Sequence, residues 1–91
     1  MQISFTPYGW EDFCYWLEYD PDVANKVKEL IRDIRQNPFK GRGKPEPLKH
    51  DLKGFWSRRI SGEHRLVYKV SGTKGVNQQC VILQCRFHYD D

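Results

Sequence analysis

An α+β fold is what the sequence predicts: an N-terminal strand, an antiparallel two-helix hairpin, then three antiparallel strands, with the helices on one face of a twisted sheet. Three observations carry this expectation. Two Xaa-Pro pairs, Thr6-Pro7 and Asp20-Pro21, each open a stretch of helical apolar spacing. Asn37-Pro38 closes the second stretch, because proline disfavours helix in the residue before it. The remainder holds β-prone runs divided by turn residues. At 91 residues the chain is expected to form one domain, 1–91.

Taken in order, Gln2-Ile3-Ser4-Phe5-Thr6 alternates polar and apolar, the period of a half-buried strand. Trp10, Phe13, Cys14 and Leu17 then recur at i, i+3, i+4 and i+7 on one helical stripe. Val23, Val27, Leu30, Ile31 and Ile34 form a second stripe of the same kind after Asp20-Pro21. So short a turn between two helices predicts an antiparallel hairpin. Residues 39–53 carry Gly41, Gly43, Pro45 and Pro47 among basic residues, which neither period survives, so an ordered loop or short-strand region is expected. Runs at 55–60, 64–70 and 80–88 read as strands, separated by Ser61-Gly62 and by the turn-like 71–79. The helix pair should cover one sheet face and leave the other open.

Composition narrows the class further. Aromatic residues reach 14% with only 7 Gly and 5 Pro, which argues against disorder or a collagen-like repeat. No apolar run approaches the roughly 20 residues of a membrane helix. Met1-Gln2-Ile3-Ser4 has neither the basic nor the apolar part of a secretory signal, so a cytoplasmic protein without a membrane partner is expected. Cys14, Cys80 and Cys85 are odd in number and form no CxxC pair, which points to reduced core thiols. The spacing of His50, His64 and His88 resembles no zinc motif, and no metal or cofactor is expected. Charge is unevenly spread. Residues 1–20 carry four acids and no Lys or Arg, whereas residues 40–59 carry seven Lys or Arg against two acids, a local +5 in a chain of net charge +3. Such asymmetry is the footprint of a polyanion-binding patch.

The open face and its adjoining loop offer Glu46 and Lys49, Arg58 and Arg59, His64 and Arg65, Arg86 and His88, and then Tyr89. Strand alternation puts Arg86 with His88 and separates Arg58 from Arg59 and His64 from Arg65. An arginine under two apolar helices is costly without a partner, so the arginines are expected on the open surface. A carboxylate, guanidiniums, a histidine and a tyrosine on one face would suit metal-free phosphodiester cleavage, which needs a base, cations for the pentavalent phosphate and an acid for the leaving oxygen. Spacing alone leaves the matter open. A glutamate between two prolines is more often a solvated loop residue, and a single histidine near a C-terminus is more often an exposed or satisfied imidazole. Trp10, Trp16 and Trp56 read as core or interface residues.

The stretch from Asn37 to His50, with Gly43-Lys-Pro-Glu-Pro-Leu-Lys49 at its centre, resembles the YoeB/Txe toxins of the RelE/ParE superfamily. Phe55-Trp-Ser-Arg-Arg-Ile60, His64-Arg-Leu-Val-Tyr68 and the closing Cys85-Arg-Phe-His-Tyr89 are similar to the same family, and the likeness spans essentially the whole chain. The resemblance implies a RelE-like fold and the toxin of a type II toxin–antitoxin system, an endoribonuclease that cuts mRNA in the ribosomal A site. It implies that the RNA 2′-hydroxyl attacks the adjacent phosphate, with Glu46 as general base, His88 as general acid and Arg65 stabilising the phosphate. Lys49 and Arg59 would add positive potential, and Tyr89 would orient substrate. The implied partners are a YefM/Axe-like antitoxin laid across the basic site, the bacterial ribosome and its mRNA, a second copy of the chain in a homodimer, and operator DNA only through the toxin–antitoxin complex. Two features depart from the family pattern: a longer 71–79 connection and the acids Asp90 and Asp91 after Tyr89. The competing readings are a nucleic-acid-binding repressor component with little catalysis, and the gyrase-poisoning branch, which lacks this Glu/Arg/His set.

Overall fold

The computed structural model describes residues 1–87. Strand β1 (Gln2–Phe5) leads into helices α1 (Pro7–Tyr19) and α2 (Pro21–Gln36), followed by β2 (Glu46–Pro47), a 3-10 turn (His50–Leu52), β3 (Trp56–Arg59), β4 (Arg65–Ser71) and β5 (Gln79–Gln84). The strands form one sheet in the order β1-β5-β4-β3-β2. All neighbours are antiparallel except β1 and β5, which run parallel from Gln2 opposite Gln79 to Phe5 opposite Ile82. The expected elements are present, and the loop region contributes a fifth, two-residue strand. Pro45 and Pro47 explain its brevity and its place, because a residue without an N–H fits only the edge of a sheet.

Both helix starts follow the cap-plus-proline pattern. Thr6 Oγ1 accepts from Gly9 N at 3.0 Å and donates to the Leu83 carbonyl at 2.8 Å, so one hydroxyl caps α1 and ties it to β5. Asp20 serves two helices at once. Its N–H donates to the Trp16 carbonyl at the end of α1, and its carboxylate accepts from Val23 N at the start of α2. A single residue therefore makes the whole link between the helices, and removing its side chain would cost about 1 kcal/mol of capping.

The helices cover one face of the sheet. Ala24, Val27, Leu30 and Ile34 of α2 and Trp16 of α1 pack with Leu66 and Tyr68 of β4 and Cys80 and Ile82 of β5, all essentially excluded from water. All three cysteines are free thiols, and burial pushes Cys80 and Cys85 up to about 12. The turn 72–78 is closed by its own hydrogen bonds, with Thr73 N donating to Asn77 Oδ1 at 2.8 Å and Asn77 N to the Thr73 carbonyl at 3.1 Å.

Two expectations are corrected. Arg58 does not lie on the open surface: it is fully buried on the helix side, opposite Leu66. Its cost is met by Asp33 of α2, whose Oδ2 accepts from Nη1 at 2.5 Å, and by the carbonyls of Asn37, Lys40 and Arg42 and the Tyr68 hydroxyl. The run 80–88 is not one strand either. β5 ends at Gln84, and the β4–β5 register shifts between Val67 and Tyr68, which pair with Gln84 and Ile82 respectively and leave Leu83 between them. That bulge moves Gln84 onto the face opposite Ile82, so simple alternation does not carry through to Arg86.

Asp33 gives this network a pH signature. The Arg42 N–H and then the Arg58 guanidinium hold its carboxyl below the usual carboxylate range. A depressed folded-state value stabilises the fold above the unfolded value of about 4, and that contribution is lost as pH falls through the folded value. We expect urea midpoints to fall steadily below about pH 4 in the native chain, and to fall less steeply in Asp33→Asn.

Candidate functional site

Ladder partners project to the same face of a sheet, so the register alone defines what the uncovered face presents. Glu46 of β2 lies opposite Ser57 of β3, Ser57 opposite Val67 of β4, and Val67 opposite Gln84 of β5. One residue pair away, Arg59 of β3 lies opposite Arg65 of β4. The face away from the helices thus carries a carboxylate on the edge strand and two arginines side by side. Sheet spacing puts the Glu46 and Arg65 backbones on the order of 12 Å apart, a span that two long side chains aimed at one phosphate can close.

Local sequence makes Glu46 a fixed feature. Pro45 and Pro47 restrict its backbone on both sides. Gly43 has φ +81, and its carbonyl accepts from Arg59 N at 2.6 Å, stapling the loop to β3. A Cβ at that position would lie 3.0 Å from the Arg58 Cβ and the Arg59 carbonyl, so another residue would be strained by the backbone angle and crowded against β3. Lys49 stands where the 3-10 turn begins, with its carbonyl accepting from Leu52 N, and Leu48 is buried between them. Glu46 and Lys49 are both exposed.

The two arginines differ in their support. Arg59 is exposed, whereas Arg65 is 9% exposed. Its Nη1 donates to the carbonyls of Ser61, Gly62 and His64 at 2.8, 3.3 and 3.1 Å, which anchors the head to the β3–β4 turn. Its side-chain bonds to described residues run through that one nitrogen. Arg42, Arg58 and His64 each lie against a carboxylate, of Glu29, Asp33 and Glu63 respectively. Arg59 and Arg65 are ladder partners with backbones about 5 Å apart, which concentrates positive charge on this face.

His88 and Tyr89 lie outside the described residues, as do Asp90 and Asp91. The segment that leads to them is held firmly. Cys85 N donates to Asp12 Oδ2 at 3.1 Å, and the Cys85 carbonyl accepts from Trp16 Nε1 at 2.7 Å. Arg86 lies over the Tyr15 ring, its Cζ 3.5 Å from the ring centre and 4.4 Å from that of Phe87. Burial raises the Asp12 carboxyl above its ordinary range, against the opposing pull of the Cys85 N–H, Arg86 and His64. None of these α1 residues was singled out from sequence for the site. Asp12, Tyr15 and Trp16 fall at i, i+3 and i+4, which is the only signal that could have grouped them on one helical face. Among the described residues, no group of three His, Cys, Asp or Glu side chains is placed to hold a metal ion.

Known proteins resemble this chain along its length. The family model described as the YoeB-like toxin of bacterial type II toxin–antitoxin systems matches residues 5–89. Toxin YoeB of Streptomyces coelicolor is 54% identical over 89 residues, covering 98% of this chain and 100% of that protein. A YoeB/ParE toxin from Agrobacterium tumefaciens has a solved structure with a TM-score of 0.92 at 47% identity, over 98% of this chain and 100% of that one. YoeB from Staphylococcus aureus, solved as a dimer and in a YoeB–YefM complex, gives TM-scores of 0.86 and 0.85 at 40% and 39% identity over 98% of each chain. The chain belongs to the YoeB-like toxins of bacterial type II toxin–antitoxin systems.

Proposed function

We propose that this toxin is an endoribonuclease that cleaves mRNA in the A site of the translating ribosome by acid–base catalysis. The observation that carries the reading is the shared face of Glu46 and the opposed pair Arg59 and Arg65. Glu46 takes the proton from an RNA 2′-hydroxyl, whose oxygen forms a bond to the adjacent phosphorus. Arg65, with Arg59 and Lys49, stabilises the charge that gathers on the pentavalent phosphate. As the bond from phosphorus to the 5′-oxygen breaks, His88 gives that oxygen a proton, leaving a 2′,3′-cyclic phosphate and a 5′-hydroxyl. Tyr89 orients the nucleotide. Base, acid and cations all come from side chains, so the scheme needs no metal. In-line attack depends on a splayed RNA strand, which the ribosome supplies, so the free protein is slow.

The regulatory partners follow from the relatives. YoeB of S. aureus is solved as a dimer and in complex with YefM, and by analogy this chain takes a YefM-like antitoxin and a second copy as partners; the antitoxin is proposed to cover the basic face. Operator DNA is bound through the toxin–antitoxin complex.

The decisive experiment maps cut sites on translated mRNA with end-group analysis. Cleavage within A-site codons, a 5′-hydroxyl on the downstream fragment and persistence under chelation with ribosome integrity controlled are expected. Products with a 5′-phosphate would sink the mechanism, and association without cutting would favour a binding or repressor protein. In the same system Lys49→Ala should weaken ribosome association and flatten its salt dependence by roughly one phosphate contact, as read from association constants between 50 and 200 mM salt.

A further inference from the structure

The tail that leaves β5 is pinned at its last described residue by the backbone and side chain of the β3–β4 turn. Phe87 N donates to Nδ1 of His64 at 2.7 Å, and the Phe87 carbonyl accepts from Arg65 N at 3.1 Å. Phe87 has φ +65, a left-handed conformation that a bulky residue keeps only when its surroundings hold it there. The carbonyl bond holds one side of the residue and the imidazole holds the other.

The His64 bond carries chemical information as well. A ring nitrogen that accepts an N–H is unprotonated, so the neutral tautomer with hydrogen on Nε2 is the one that fits. Nε2 lies 3.3 Å from Glu63 Oε1, within reach for that hydrogen to be donated. The ring is fixed edge-on to Trp16 of α1, with centroids 4.8 Å apart, and stands 5.5 Å from the Phe87 ring. Its charged surroundings are Glu63 from the same turn, Asp12 from α1, and Arg86, which stacks on Phe87.

We propose that His64 is a positioning residue: its neutral ring holds the Phe87 amide and so sets where the next two residues, His88 and Tyr89, meet the RNA. This rests on the reading of His88 as the general acid. A proton on Nδ1 turns the acceptor into a donor that faces another donor, and the amide is released. The anchor therefore holds only while Nδ1 carries no proton. Arg65 joins the two functions, because its N–H holds Phe87 while its guanidinium faces the phosphate.

The test compares His64→Ala with His64→Asn, whose Oδ1 can occupy the place of Nδ1 and accept the same N–H without titrating. On the isolated protein, amide exchange followed by NMR should be roughly 10-fold faster at Phe87 in His64→Ala and close to wild type in His64→Asn. In wild type, the exchange at Phe87 relative to its neighbours should rise with protonation of His64, and in His64→Asn it should not. With ribosomes programmed with mRNA, single-turnover cleavage should fall roughly 10- to 100-fold in His64→Ala, the range expected for misplaced catalytic groups, while association changes less than about 2-fold. His64→Asn should recover most of that rate. Equal loss in both variants in step with thermal unfolding, or wild-type cleavage by a folded His64→Ala, would overturn the proposal while leaving the acid–base reading in place. A wild-type protein that does not cut RNA at all would remove both. His64→Asn keeps the question answerable if the alanine variant does not fold, since recovery of rate and loss of the pH effect are both read on it.

Discussion

Replacing Glu46 with Gln should lower single-turnover cleavage of ribosome-bound mRNA by roughly 10²–10⁴-fold, with ribosome association within a few-fold of wild type. The substitution keeps size and reach but removes the negative charge and with it the capacity to take a proton. Glu46 sits on a two-residue edge strand between prolines, on a loop stapled to β3 through Gly43, so the change should leave the fold intact. Edge position also limits its share in the core, as it is exposed opposite Ser57. A general base should lose the chemical step in the Gln variant while association with the ribosome is retained. Parallel loss of cleavage and association would instead make Glu46 a contact residue. Cleavage at the wild-type rate would remove the base from the mechanism altogether.

The largest effect on stability is expected at Arg58. Arg58→Met should cost about 3–5 kcal/mol, because it strips one partner from a buried ion pair and orphans several polar groups together. For a chain of this size that corresponds to a fall in melting temperature on the order of 15–30 °C by calorimetry. The guanidinium binds Asp33 and the carbonyls of Asn37, Lys40 and Arg42, so it is the internal scaffold of the loop that precedes Glu46. Tyr68 completes the scaffold by accepting from Arg58 Nε at 3.1 Å and donating to the Pro38 carbonyl at 2.6 Å. Burial raises the Tyr68 phenol above its ordinary value, so it stays a neutral donor across the working pH range. A loss below 1 kcal/mol would mean that water reaches these carbonyls and that the loop stands without its central cation.

How far the fold could be read in advance depended on how local its causes are. Thr6-Pro7 and Asp20-Pro21 act over three or four residues, and both helix starts follow from them directly. The position of Arg58 does not, because its partner Asp33 lies 25 residues away and alternation gives parity without saying which face is inward. The same holds for the parallel pairing of β1 with β5, which joins opposite ends of the chain. For the site, Glu46, Arg59 and Arg65 stood out by charge and motif, and the register brings them to one face. Gln84 was missed because a bulge at Leu83 reverses its side, and nothing in the composition of residues 80–84 marks a bulge. The α1 clamp on Cys85 was missed because Trp16 reads only as a core or interface ring and Asp12 only as part of an acidic stretch until their long-range partners are known.

That late pairing bears on when the fold can form during synthesis. β5 supplies the partner for both β1 and β4, and residues 79–87 are synthesised after both of those strands. While they remain inside the exit tunnel, the N-terminal strand has nothing to zip against, and the helix that later clamps the tail has no tail to clamp. Contacts of such long sequence separation form slowly and only once both ends are free. The sheet can therefore close only after residues 79–87 have left the tunnel and both of their partner strands are free to pair.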